Sequence, residues 1–397
     1  MTTVVDRWNI HPDHRWLRGE RPDAPITFDQ AQGVWNVYGY AECQEMLGDA
    51  ARFSSHTARL LPVAVDPSLM EGDMSQMDPP QHRKFRQLVS RAFTPRLIAG
   101  MESRIVEITT ELLDRVEGKP ELELVADLTF PLPVIVIAEL LGVPASDRDM
   151  FKKWADNIIA SFSGFSFLDD SDQGHQDMSD ATEQLRPLLE YLAGHVAERR
   201  RHPREDLLTH LATAEIDGDR LTDNEVVNVA NIMLVTGHIT TTMLLGNTVL
   251  CLDADQEQGA RVRADRSLVP GAIEEALRLL PPSTAMTRAT SVDVEVSGVA
   301  IPKDQMLMLW LGAANRDPGV FTDPGAYQPG RDPNPHLGFG RGIHYCIGAA
   351  LSQMEGRIAL NALLDRFPKL RTDPANPPGF FATPDMIGVS SLPLRTS

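Results

Sequence analysis

The most reactive arrangement in the chain is His336-Leu-Gly-Phe-Gly-Arg-Gly-Ile-His-Tyr-Cys-Ile-Gly, which ends at Gly348. Gly338, Gly340 and Gly342 alternate, Cys346 follows, and a helical pattern opens after Gly348. Glycines permit tight or left-handed backbone and close approach to a flat partner. A thiolate needs N–H donors aimed at its sulfur, or burial silences it. The first turn of a helix leaves such donors unpaired. Cys346 therefore reads as a thiolate held at a helix N-terminus beneath a bound electrophilic metal.

The other cysteines, Cys43 and Cys251, are too scattered to complete a zinc cage or a disulfide framework. Haem iron needs only one axial protein ligand, and thiolate is one of the known choices. The pattern Phe339-Gly340-x-Gly342-x-His344-x-Cys346-x-Gly348 resembles the haem-binding signature of the cytochrome P450 family. The resemblance runs from about residue 25 to the end. It implies a mainly α fold with a small β region and one domain over residues 1–397. It also implies haem b between a long central helix and the Cys loop. Cys346 is then the metal ligand, and Phe339, Gly340, His344 and Gly348 contact the cofactor.

Further residues fit that frame. His82 and Arg86 are four apart, so they share a helix face, and both types pair well with carboxylates. The resemblance makes them propionate anchors, with Arg288 and His344. Asp78 reads as the N-cap of their helix, with Pro79 in its first turn. Glu275-x-x-Arg278 is a pair on one helix face, and Arg331 matches the third member of the family's structural network behind the haem loop.

The longest helical pattern runs from Asp223 to about Leu250, roughly 40 Å at the usual rise. Its centre reads Leu234-Val-Thr-Gly-His-Ile-Thr-Thr-Thr. Gly237 costs helix stability, which predicts a close packing partner. Thr240 is expected to bond back to the Thr236 carbonyl and open the helix locally. Gly237, Thr240 and Thr241 are the oxygen-site candidates. The family places an acid and a threonine here to relay protons to dioxygen. This sequence has Ile239 where the acid is expected, which leaves His238, the substrate or ordered water as the proton source.

Leu69, Phe162, Ile239, Thr284, Ala285, Met286 and Met386 are the candidate substrate pocket. Residues 53–76 lack periodicity and read as a long loop, and the corresponding family segment covers the substrate. Phe162, Phe165, Phe167 and Leu168 lie in an apolar link between two helices expected over 147–200. The elements that must position these residues are a β-hairpin at 25–38, a helix over 98–116 stopped by Gly118, and an apolar stretch at 134–141. A helix over 349–364 and closing strands near Met386 complete them.

The chain has 397 residues, 42% of them hydrophobic, and a net charge of −18. That balance argues against nucleic acid as a partner. The N-terminus shows no long apolar run, so a cytoplasmic monomer with no membrane anchor is expected. The reading is a haem-thiolate monooxygenase that acts on an apolar small molecule, with electrons from a ferredoxin and its reductase. Arg83, Lys84, Arg91 and Arg341 form the expected basic docking patch. The alternatives are a peroxygenase or other atypical oxidase, a haem-based sensor, and a non-haem helical protein.

Overall fold

The structure, a computed structural model, describes residues 8, 10–61, 67–147, 150, 153–154, 172–216, 218–381 and 383–396. β1 (Ile26–Asp29) and β2 (Val34–Val37) form the expected antiparallel hairpin, with Ile26 opposite Val37. The Asp29 carboxylate accepts from Ala31 N at 2.8 Å and so holds the turn. α1 (Tyr40–Gly48) buries Cys43, Met46 and Leu47, and β3 (Phe53–Ser54) follows.

The stretch after β3 is more ordered than its irregular sequence predicts. It carries a 3-10 turn at Ala58–Leu60, the short helix α2 (Pro67–Met70) and another turn at Met74–Gln76. Gln76 Oε1 accepts from Thr57 N and Ala58 N, both at 3.0 Å, and closes the neck of this segment.

α3 (Gln81–Ala92) begins behind Pro80, so Asp78 is not its cap. The Asp78 carboxylate accepts instead from Ser54 Oγ and Ser55 N. The single helix expected over 98–116 is two, α4 (Pro95–Gly100) and α5 (Glu102–Asp114). Thr94 caps α4 by accepting from Leu97 N, with Pro95 in the first turn, and this starts a separate short helix. β4 (Glu121–Glu123), a π-helical turn at Val125–Thr129 and α6 (Pro131–Leu141) come next. The apolar stretch at 134–141 is thus a helix, ended by Gly142 at φ 78°.

α7 (Asp172–Arg201), α8 (Leu207–Thr213) and the small hairpin β5 (Glu215–Ile216) and β6 (Asp219–Arg220) lead to α9 (Asp223–Ala254). Thr222 and Glu225 form a reciprocal capping box that fixes where α9 begins. α10 (Gln256–Ala264) and α11 (Val269–Leu279) follow, then β7 (Met286–Thr290), β8 (Val294–Val296), β9 (Val299–Ile301) and β10 (Met306–Leu309). The last elements are α12 (Leu311–Ala314), α13 (Ala349–Arg366), β11 (Arg371–Thr372), β12 (Gly379–Phe380), β13 (Val389–Ser391) and β14 (Pro393–Arg395).

The largest sheet has the order β1-β2-β10-β7-β3, with β10 parallel to β2 and antiparallel to β7. Three strands, β11-β14-β4, form a second sheet. The helices gather around α9, which packs on α6, α7, α11 and α13. By length and composition α9 is apolar enough to cross a membrane, yet 61% of that window is buried within the protein. Its apolar character serves the core.

Candidate active site

Cys346 sits where α13 begins. Its own N–H donates to Phe339 O at 3.0 Å, which closes the Gly-rich loop. The backbone N–H groups of Gly348 and Ala349 bond its sulfur. Gly342 has φ +71°, and a Cβ there would lie 2.7 Å from Leu47 O. The loop can therefore seat on α1 only with glycine at this position. Packing raises the Cys346 pKa first of all, and the two N–H groups and Arg86 oppose it. The residue is nonetheless exposed, and that exposure decides its chemistry, because a ligand can reach the sulfur.

A cluster of basic side chains stands beside the loop. The His82 and His344 rings lie 4.2 Å apart, and His344 Nε2 is 2.9 Å from Ser55 Oγ. Arg288, on β7, donates through one amino group to Thr287 O at 2.8 Å. Arg86 donates to Tyr345 O at 2.6 Å, so it also holds the Cys loop backbone. Burial, then Arg288 and His82, lowers the His344 pKa to about 3. Burial also lowers His82 and Arg86, and brings Arg288 down to about 10.

His82 Nε2 and Arg288 Nη2 are buried without a hydrogen-bond partner among the described residues. Asp78, the acid that acts on this cluster, has its oxygens engaged by Ser54 and Ser55. A buried guanidinium N–H left unspent asks for an anion from elsewhere, and the unpartnered imidazole nitrogen beside it can donate to the same group. A planar group with two carboxylates and a metal that takes a thiolate fits these residues.

The loop is shored from behind by a buried network. Arg278 donates to Glu275 at 2.7 and 2.8 Å, and Arg331 Nε donates to the same carboxylate at 3.0 Å. Arg278 also holds Asn315 O at 3.0 Å, Pro324 O at 2.7 Å and Ala326 O at 2.9 Å.

On α9, Thr236 and Gly237 are exposed and Thr240 is half-buried, in the middle of an otherwise buried helix. The packing partner expected for Gly237 is absent among the described residues, since a Cβ there would meet nothing within 4 Å. Thr240 Oγ1 does donate to Thr236 O, at 2.6 Å, but α9 runs unbroken rather than opening. Thr241 bonds back to Gly237 O at 2.7 Å in the same way. Ile239 is buried. His238 faces away, its ring edge-on to Phe130 at 4.5 Å, and burial lowers its pKa to about 3.

Of the pocket candidates, Leu69, Ala285, Met286 and Met386 are half-buried, and Gly340 lies against Met286. Thr284 is fully buried, its hydroxyl spent on Pro384 O at 2.9 Å. Phe162 lies outside the described residues. The structure thus joins His82, Arg86, Arg288, His344 and Cys346 in one place. Sequence reasoning missed Ser55, whose link to His344 crosses 289 positions and leaves no local pattern.

The cytochrome P450 family model matches residues 5–395. The chain belongs to the cytochrome P450 family. It is 42% identical over 380 residues to cyclomarin C epoxidase CymV of Salinispora arenicola, covering 96% of this chain and 94% of that one. The solved structure of HmtT, involved in himastatin biosynthesis, is 74% identical with TM-score 0.92, over 99% of this chain and 100% of that one. HmtN, a post-tailoring hydroxylase of himastatin biosynthesis, is 52% identical with TM-score 0.89 over 100% of both. This chain is a monooxygenase of that cytochrome P450 family, with the fold its sequence implied, and the family implies a haem cofactor.

Proposed function

We propose that this cytochrome P450 hydroxylates or epoxidises an apolar natural-product intermediate, with haem b between α9 and the Cys346 loop. The observation that carries the reading is the pair of unpartnered buried nitrogens, His82 Nε2 and Arg288 Nη2, beside an exposed Cys346. The relatives support the substrate class, because one is an epoxidase and another a post-tailoring hydroxylase.

Haem bound here would supply iron at which dioxygen is split, one atom going to the substrate and one to water, with two electrons and two protons consumed. Cys346 Sγ would bind the iron. His82, Arg86, Arg288 and His344 would hold the two carboxylates, and Phe339, Gly340 and Gly348 would shape the loop around the ring. Gly237 leaves room above the site, and Thr240 and Thr241 present hydroxyl oxygens to it. Thr240 Oγ1 donates to Thr236 O, so its hydroxyl must turn from that carbonyl to give its proton and must be re-protonated afterwards. Ile239 offers water no partner. A hydroxyl or N–H of the substrate, or water by another route, completes the transfer.

Residues 1–397 act as one domain in the cytoplasm, as a monomer served by a ferredoxin and its reductase. Of the expected docking patch, Lys84 pairs with Asp219, whereas Arg91 donates to the neutral Glu215 O and keeps its charge, as do Arg83 and Arg341. The test is turnover under isotopically heavy dioxygen with NADPH, ferredoxin and reductase, over a panel of apolar peptides and macrolides. One heavy oxygen atom in the product is expected. Product from hydrogen peroxide alone, at an equal rate, would favour the peroxygenase that Ile239 also permits.

A further inference from the structure

Nothing in the sequence singled out the N-terminal arm, residues 10–18. Its His14 is 1% exposed. His14 Nε2 lies 3.1 Å from Met386 O. A carbonyl only accepts, so this nitrogen carries the proton and the tautomer is fixed. The ring stands edge-on to Trp16 at 5.3 Å, and Trp16 lies 5.6 Å from Trp310.

The contact closes a ring of contacts that runs through Trp16, α12 and Thr284 back to the Met386 turn. A Cβ on Gly312 would sit 2.8 Å from the Trp16 ring, so that ring rests directly on α12. Gly312 N donates to Thr284 O at 3.0 Å. Thr284 N donates to Asp385 O at 2.8 Å, and its hydroxyl donates to Pro384 O at 2.9 Å. Ile387 N donates to Pro282 O at 3.0 Å. Asn247, on α9, donates to Ile387 O at 2.9 Å. Residues 383–387 are therefore tied to the lead-in to β7 and to α9 on one side. On the other side, among the described residues, His14 holds Met386 O.

We propose that His14 is a positioning residue for substrate selection, fixing the height of the Met386 turn over the pocket by holding its carbonyl. The proposal rests on the reading of Ala285, Met286 and Met386 as pocket wall. Losing one buried bond of this kind moves an equilibrium by about five- to tenfold. The groups facing His14 are His11 and Asp13 on its own arm and the backbone of Met386 and Thr383 on the turn. Near neutral pH the ring is uncharged, since burial lowers its pKa to about 4.

The test uses the haem-loaded full chain, His14→Phe and His14→Gln. Phenylalanine keeps the ring and loses the donor, whereas glutamine keeps a donor. The probes are imidazole, which reaches the metal alone, and 4-phenylimidazole, whose phenyl group needs the pocket roof. His14→Phe is expected to leave imidazole binding unchanged and to weaken 4-phenylimidazole about five- to tenfold. Amide hydrogen exchange of residues 385–388 should quicken in step, and His14→Gln should restore most of both. Unchanged exchange in His14→Phe, or equal weakening of both probes, would overturn the proposal. Absence of any imidazole complex in the wild type would instead sink the haem reading and leave the exchange result standing.

Discussion

The two faces of the site are built by opposite means. Behind the Cys346 loop, Glu275, Arg278 and Arg331 form a fully or nearly buried charge network that spends its donors on backbone carbonyls. Across from it, α9 spends the Thr236, Thr240 and Thr241 hydroxyls on its own helix, and among the described residues Gly237 has no packing neighbour. One face is fixed by many mutually dependent bonds. The other is shaped by groups that contribute little to the fold. Substitutions on the first face should therefore change stability, and those on the second should change chemistry.

Arg278→Leu should show the largest effect. It leaves Glu275 buried and half-paired, at a cost of about 3–5 kcal/mol. Urea midpoint and haem retention should fall together. A stability loss below about 1 kcal/mol would mean that the network is dispensable.

Thr240→Ala should scarcely move the urea midpoint by comparison, by roughly 1 kcal/mol, whereas Ile239→Asp puts an acid at a buried position and should lower the midpoint unless that acid finds a polar partner. Their effect belongs in product formed per NADPH consumed. Ile239→Asp should raise that ratio on substrates without a hydroxyl near the oxidised carbon, provided the new acid finds a polar partner. Thr240→Ala should lower it. Equal, tight coupling in the wild type on substrates with and without that hydroxyl would favour a water route over the substrate as proton source.

A smaller and graded effect is expected from pH. Burial holds His14 near 4, and His238 and His344 near 3, below the ordinary 6.5. Above about 6.5 neither folded nor unfolded chain takes up these protons, so stability is fully present. As pH falls below 6.5, the unfolded chain binds protons that the folded chain refuses, and stability declines until the folded values are reached. The slope for each fully buried histidine approaches about 1.4 kcal/mol per pH unit, and half-buried His344 contributes less. Carboxylates bound at His344 would raise its pKa, so the haem-free chain should lose more stability than the loaded one between pH 7 and 5. Equal losses would place no carboxylate there.

The same contrast explains what the sequence disclosed. The Cys loop and the Glu275–Arg278 pair were legible because thiolate, glycines and a three-residue helical spacing are local signals. The long helix was legible from its apolar run, and its start at Asp223 agreed with the structure. Asp78 was misread because Ser54 and Ser55, distant in sequence, claim its carboxylate. Gly237 borders open space among the described residues, on the side where the proposed cofactor would lie. His14 gave no signal, since its partner stands 372 positions away. The helix over 98–116 begins earlier than its periodic run, because Thr94 and Pro95 start a first helix that ends at Gly100.

The central claim is thiolate ligation by Cys346, and the ferrous carbonyl spectrum tests it most directly. The loaded wild type should show the strongly red-shifted Soret band of a thiolate-bound haem. Cys346→His should bind haem without that shift. An unchanged red-shifted band in Cys346→Ala would contradict the account.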